Sequence, residues 1–142
     1  MGVSRRGSAR HSRAEFLIGC EAWLDEALAS RRWIIAVAET ESRSLCGCIF
    51  LQCVDKVPEP GGVQRAWGYV TNSYVVSQQR GQGVGRQLLD LLLGEARVRR
   101  LEFLIVWPSR GAVSFYRRAG FRPVSEAHAA GDDEPPLELA LS

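Results

Sequence analysis

Between Phe16 and Leu28, apolar residues recur three and four positions apart: Phe16, Leu17, Cys20, Trp23, Leu24, Ala27 and Leu28. This spacing predicts an amphipathic helix. Ser12-Arg13-Ala14-Glu15 just before it has the form of a capping box, in which Ser and Glu satisfy each other's backbone N–H groups. The period then shortens. Residues 33–38 form a short apolar run, residues 39–44 a polar turn, and residues 45–54 a second extended run. Pro58, Pro60, Gly61 and Gly62 break the next connection, and residues 67–76 are rich in aromatic and β-branched side chains. Three strands joined by short connections predict an antiparallel meander.

After Gly81, Gly83 and Gly85 the helical period returns, with Val84, Leu88, Leu91, Leu92 and Ala96 expected on one buried face as far as about residue 100. Residues 103–107 are wholly apolar, the pattern of a central strand covered on both faces. Strand, crossover helix, strand implies that 67–76 and 103–107 run parallel. Pro108 stops the strand, Ser109 is placed to cap a short helix ending at Ala119, and Gly120 stands where a C′ glycine belongs. Strands at 122–127 and 137–141, with an acidic turn at 131–134, complete the chain. The expected fold is α/β (α+β): a single-domain mixed sheet over residues 13–142, preceded by a basic, disordered tail at 1–12. There is no internal repeat.

Of the 142 residues, 46% are hydrophobic and 24% charged, which fits a globular chain able to bury a core without disulfide or metal staples. No apolar run approaches the ~20 residues needed to span a bilayer, so no membrane partner is expected. Arg5-Arg6 followed by the apolar residues 16–20 mimics an export signal. The apolar piece is too short for one, and Glu15 and Glu21 flank it. The net charge of +2 belongs to the tail, where residues 1–13 hold four arginines and no carboxylate; the remainder carries −2. A nucleic-acid-binding domain needs its basic stripe on the folded part, so no nucleic acid is expected either. Cys20, Cys46, Cys48 and Cys53 form no C-x-x-C pair and lie far from His11 and His128, which leaves no metal-ligand spacing. Cys46 and Cys48, two apart on one strand, are expected to share a face as small core hydrophobes. Unpaired cysteines point to a reducing cytoplasmic location.

Chemistry concentrates in Val75-Val76-Ser77-Gln78-Gln79-Arg80-Gly81-Gln82-Gly83-Val84-Gly85-Arg86. Alternate glycines let the backbone turn sharply at a helix start and gather N–H groups on one concave surface, where the helix dipole favours an anion. This is neither a P-loop nor the dinucleotide fingerprint, because no Gly-Lys-Ser/Thr follows and Arg86 stands where the last glycine would be. No Asp or Glu occurs from Gly61 to Leu89. A tight strand-to-helix turn alone would also account for the glycines.

Arg80-x-x-Gly83-x-Gly85, followed after an apolar strand by Ala112-Val113-Ser114-Phe115-Tyr116-Arg117-Arg118-Ala119-Gly120-Phe121, resembles the GNAT superfamily of acetyl-CoA-dependent N-acyltransferases. The resemblance covers about residues 33–141. It implies two parallel strands that splay apart to admit the pantetheine arm, with backbone groups of Val75 and Val76 pairing with it. It further implies a pyrophosphate held by the segment Arg80, Gly81, Gln82, Gly83, Val84, Gly85 and Arg86, and Tyr116 as the general acid for the departing thiolate. Ser109 stands where the family often has a cofactor-binding asparagine. The strand at 67–76 lacks the family's usual carboxylate, so Tyr69, Asn72 and Tyr74 are the polar candidates on the acceptor side, with a water-relayed base or an acceptor of lowered pKa. The family normally begins with a strand and a helix that have no counterpart before Ser12: either the start codon is misassigned or the strand is missing, and the second case would leave 33–38 as a bare edge with which a homodimer is plausible. The function implied is direct transfer of an acetyl group from acetyl-CoA to a primary amine of a small molecule or peptide, with no metal. A non-catalytic acyl-CoA-binding module is the alternative, and a nucleic-acid or anionic-surface binder using the arginine tail a third.

Overall fold

The computed structural model describes residues 12–124 and 135–141. The chain divides into two compact units, Met1–Arg31 and Arg32–Ser142. In the first, helix α1 (Arg13–Ser30) starts on the expected capping box: the Ser12 hydroxyl accepts from Glu15 N at 3.2 Å, and Ser12 N donates to the Glu15 carboxylate at 2.8 Å. Its apolar residues are not confined to one face, because the consecutive Phe16, Leu17 and Ile18 spread around the helix and all three are exposed.

The second unit is a six-stranded mixed sheet of order β1-β2-β3-β4-β6-β5, made by β1 (Trp33–Glu39), β2 (Leu45–Asp55), β3 (Ala66–Val75), β4 (Phe103–Val106), β5 (Arg122–Pro123) and β6 (Leu137–Ala140). β1, β2 and β3 form the predicted meander. Helix α2 (Val84–Val98) carries the chain across to β4, which pairs with β3 in parallel at Gly68–Leu104, Tyr69–Ile105 and Val70–Val106. A 3₁₀ turn (Arg110–Ala112) and helix α3 (Val113–Arg118) follow, and Gly120 adopts φ 104° just past the helix end, as a C′ glycine does.

Several details differ from the sequence reading. The buried residues of α2 are Leu88, Leu89, Leu92, Leu93 and Ala96, whereas Leu91 is 61% exposed. At 3.6 residues per turn Leu91 lies roughly opposite Leu89, and Leu89 faces the sheet. Ser109 makes no side-chain cap; its carbonyl accepts from Ala112 N at 2.8 Å. Cys46 is buried, but Cys48 is only half-buried and its thiol donates to the Asn72 carbonyl at 3.4 Å, so the two do not share the core. Irregular pairing around Gly47 and Leu45 breaks the strict alternation that the expectation assumed. β4 is central in the sheet, with Leu104 and Val106 buried and Phe103 and Ile105 half-buried. β5 is shorter than expected; residues 1–11, the rest of the 122–127 run and the acidic turn at 131–134 lie outside the described residues.

The core joins Ile49 and Leu51 of β2, Val70 of β3, Leu104 of β4 and Leu137 of β6 to the leucines of α2 and to Tyr116 and Phe121. One glycine sets how closely these layers approach. A Cβ on Gly68 would stand 2.5 Å from Leu104 Cδ2 and 2.7 Å from Leu51 Cδ1, inside the contact distance of two fully buried leucines. Gly68→Ala is therefore expected to destabilise the fold by about 1–3 kcal/mol through overpacking, measured as a lower denaturant midpoint with an unchanged m-value.

Candidate active site

The parallel pair β3–β4 is closed at one end and open at the other. At the closed end Glu102 N donates to the Ala66 carbonyl at 2.9 Å, the Trp67 and Phe103 rings stack 5.8 Å apart, and the Glu102 carboxylate is paired with Lys56 and Arg65. At the open end the register ends at Val70–Val106. The cause lies in β3. Against β2, Cys48 faces Tyr74 while Phe50 faces Thr71, so β3 carries one extra residue. Asn72 takes it up with φ 51°, a left-handed conformation that asparagine tolerates better than most residues. Its side-chain oxygen accepts from the Thr71 hydroxyl at 3.0 Å, and its carbonyl accepts from Cys48. The bulge bends β3 away from β4.

A cleft of about 220 Å³ occupies the gap, lined by Tyr69, Thr71, Asn72 and Ser73 from β3 and by Trp107, Ser109 and Tyr116 from beyond β4. The Tyr69 and Trp107 rings meet edge to face at 5.4 Å and make its aromatic wall. Tyr116 is 3% exposed and wedged edge to face between Phe115 and Phe121. Burial lifts its phenol above the ordinary tyrosine value, and a hydrogen bond with the Ser73 side chain works in the opposite direction. The phenol thus stays protonated, and able to donate, past the pH at which a free tyrosine ionises. The stability gained by burying it neutral is fully present below the unfolded value and is lost as pH rises through the folded one.

Beyond the end of β3 lies a second cavity of about 460 Å³, lined by Val75, Gln79, Arg80, Gly81, Gly83, Val84, Gly85, Arg86, Phe115 and Arg118. Three of these are arginines and none is acidic. Gly81 and Gly83 adopt φ 76° and 83°, where a Cβ is strained, and a Cβ on either would meet nothing within 4 Å. Gly83 is the N-cap of α2 and caps its first N–H groups with no side chain, and the start of the helix, Gly83 to Arg86, lines the arginine-rich hollow. Arg80 is preset: its Nε donates to the Val75 carbonyl at 2.8 Å and its guanidinium lies 5.6 Å from the centre of the Tyr74 ring. Arg86 is bound by Asp90 at 3.0 Å, one turn along the helix. The cavity fits a polyanion.

The expected residues fall unevenly into these two spaces. Tyr69, Asn72, Ser109 and Tyr116 meet in the cleft, and Val75, Arg80, Gly81, Gly83, Val84, Gly85 and Arg86 line the anion cavity. Gln82 lines neither, and its amide reaches the Gln78 carbonyl at 3.4 Å. Tyr74 is 55% exposed under Arg80 and stands outside the cleft. Val76 has both backbone groups engaged, its N–H with the Cys46 carbonyl and its carbonyl with Gln79 N. The same alternation turns the N–H of Val75, opposite Gly47, away from β2 and toward the gap. Residues that the sequence reading missed are Ser73, Thr71 and Trp107 in the cleft and Gln79 and Arg118 in the cavity. Arg118 had a legible signal, because it lies one helical turn after Phe115; the others depend on the bulge and the splay.

Asn72→Val places a β-branched residue in the left-handed region and is expected to lower stability by about 1–2 kcal/mol, whereas Asn72→Gly stays within a few tenths. Chemical denaturation of the two variants side by side checks this.

The acetyltransferase (GNAT) domain profile matches residues 31–123. No curated protein matches the chain significantly. Among solved structures, an acetyltransferase of the GNAT family from Staphylococcus aureus superposes with a TM-score of 0.69 at 16% identity, covering 94% of this chain and 82% of that one. A predicted acetyltransferase of Clostridium acetobutylicum, solved with acetyl-CoA, gives 0.67 at 22% identity, covering 82% and 75%. Glucosamine-6-phosphate N-acetyltransferase of Arabidopsis thaliana gives 0.67 at 18% identity, covering 83% and 77%. With the profile spanning well over half of the sequence, and with a sheet that splays beside a glycine-started helix, the chain belongs to the GNAT family of acetyltransferases.

Proposed function

We propose that this chain transfers an acetyl group from acetyl-CoA directly to a primary amine of a small molecule or peptide. The observation that carries this reading is the adjacency of the two spaces. The arginine-lined cavity at the start of α2 and the cleft containing the Tyr116 phenol both lie between β3 and α3, through Val75 and Ser73 on one side and Phe115 and Tyr116 on the other.

In this reading Arg80, Arg118 and the N–H groups at the start of α2 hold the pyrophosphate, and the splayed edge of β3 receives the pantetheine arm. The Val75 N–H polarises the thioester carbonyl and stabilises the oxygen that becomes anionic when the amine nitrogen bonds to the carbonyl carbon. When the carbon–sulfur bond breaks, its electron pair stays on sulfur, and Tyr116 donates a proton there. The proton lost by the attacking nitrogen leaves through water, because the described residues of the cleft include no carboxylate or histidine. The phenol regains its own proton from solvent. Four cysteines without disulfides fit a reducing cytoplasmic setting, and no helix among the described residues is long and apolar enough to cross a membrane.

Two measurements test the roles. Gly83→Glu puts a carboxylate at the N-cap, and calorimetric titration with acetyl-CoA is expected to show binding weakened at least about tenfold; Gly83→Asn, which tolerates the left-handed backbone without adding charge, keeps most of it. Unaltered affinity in the Glu variant would remove the anion site from this position. Tyr116→Phe is expected to lower kcat about 10²-fold with little change in acetyl-CoA affinity. It should also delete the component that ionises above the ordinary tyrosine range in an ultraviolet titration, and a wild-type rate in this variant would exclude the phenol as the acid.

A further inference from the structure

In the proposed reaction Tyr116 gives up a proton at every turnover and must recover one before the next. Its phenol is poorly placed to take that proton from bulk solvent, because the residue is 3% exposed and wedged between Phe115 and Phe121. The proton therefore returns through a neighbour that can both donate and accept, which is what a hydroxyl does. Among the described residues of the cleft, Tyr69, Thr71, Ser73 and Ser109 carry one. The Thr71 hydroxyl is committed to the Asn72 side-chain oxygen at 3.0 Å, and the Tyr69 ring is held edge to face against Trp107. Ser73 is hydrogen-bonded to the Tyr116 phenol and is itself an exposed residue. It reaches the buried phenol on one side and water on the other.

The bulge, not strand alternation, puts Ser73 there. Cys48 faces Tyr74 and Phe50 faces Thr71, so Asn72 and Ser73 together stand opposite Ile49. Residues opposite one another across a ladder share a face of the sheet. Ser73 is thereby turned to the face of Ile49 and Val70, the two that are packed into one core with Tyr116. In an unbroken strand, residue 73 would follow Tyr69 and Thr71 onto the opposite face. The surplus residue in β3 brings a hydroxyl to the phenol.

Resting on the acetyl-transfer reading above, we propose that Ser73 is the relay through which Tyr116 recovers its proton, a positioning residue that acts on the reaction only through the phenol. When the carbon–sulfur bond breaks, sulfur keeps the electron pair and takes the phenol's proton, which leaves a phenolate. The Ser73 hydroxyl passes its proton to the phenolate oxygen while it takes one from water in the cleft, and that water carries the proton released by the attacking nitrogen. One proton leaves nitrogen and one arrives on sulfur, with Ser73 and Tyr116 restored and no carboxylate or histidine needed.

Threonine and valine have the same shape and differ by a hydroxyl, so Ser73→Thr and Ser73→Val separate proton transfer from packing. Thiol release from acetyl-CoA is followed with water alone and with phenethylamine as the nucleophile. Ser73→Val is expected to lower kcat about tenfold at unchanged acetyl-CoA affinity, and Ser73→Thr to restore most of it. In the Tyr116→Phe background Ser73→Val is expected to cost nothing further, because the relay then has no phenol to serve. Losses that multiply in the double variant, or a wild-type rate in Ser73→Val beside a slow Tyr116→Phe, overturn the relay and leave Tyr116 as the acid. A wild-type rate in Tyr116→Phe overturns the acid reading, and the relay with it. Ultraviolet titration gives a readout that needs no turnover. In Ser73→Val the component that ionises above the ordinary tyrosine range is expected to move up by about half a unit to one unit, since the hydroxyl no longer stabilises the phenolate. Ser73→Thr is expected to hold it near its wild-type place, and a component that stays put in Ser73→Val overturns the proposal. Should Ser73→Val fail to fold, Ser73→Ala carries the same comparison.

Discussion

Everything functional in this molecule depends on how far two parallel strands stay together. β3 and β4 pair over three positions and then part, and what separates them is one surplus residue in β3. β4 itself ends at Val106, so the backbone of β3 beyond Val70 finds no partner there, and Tyr116 of α3 reaches the cleft that results. The stacked Trp67 and Phe103 and the Glu102 ion pairs hold the other end shut, so the divergence acts as a hinge line rather than general loosening. The left-handed Asn72 costs little and opens a row of backbone groups that a ligand can complete.

Electrostatics then divide the labour along the opening. At the α2 end, positive charge comes from Arg80, Arg86, Arg118 and the helix terminus, with no acid lining the hollow. Part of that charge is spent in advance: Arg86 bonds Asp90, and Arg80 bonds the end of β3. The second contact lowers the freedom of the guanidinium before any ligand arrives, which reduces the entropy lost on binding. At the Tyr116 end the surroundings are aromatic, and the same burial that raises the phenol's pKa keeps its proton available. A cationic end and an end that holds a buried, protonated phenol beside an aromatic wall suit a long ligand whose polyanion is anchored away from its other end.

How much of this was legible in the sequence follows from which features leave a local mark. The Ser12–Glu15 box, the glycine turn into α2, the meander and the apolar β4 each state themselves within a few residues, because capping, positive φ and period are local properties. The bulge at Asn72 left no such mark: one extra residue in a strand changes neither composition nor turn signals, yet it decides that Ser73 faces Tyr116 and that Tyr74 stays outside the cleft. Leu91 was assigned to the wrong face because a run of three leucines fits more than one helical phase. Ser109 is a good cap by type, but the 3₁₀ start of the following turn uses its carbonyl instead. Trp107 reads as the end of a buried strand and in fact stands 56% exposed at the mouth of the opening.

The chain contains a single lysine, and the fold gives it a fixed place. Lys56 is ion-paired with Glu102 and its ammonium lies 5.4 Å from the centre of the Phe103 ring, at the closed end of the β3–β4 pair. Seventeen arginines supply the remaining basic side chains, and a guanidinium stays protonated and is not a nucleophile at ordinary pH. As an acetyltransferase, the chain therefore carries almost no side-chain amine of its own, and the one it has is tied into the clamp that keeps the strands together.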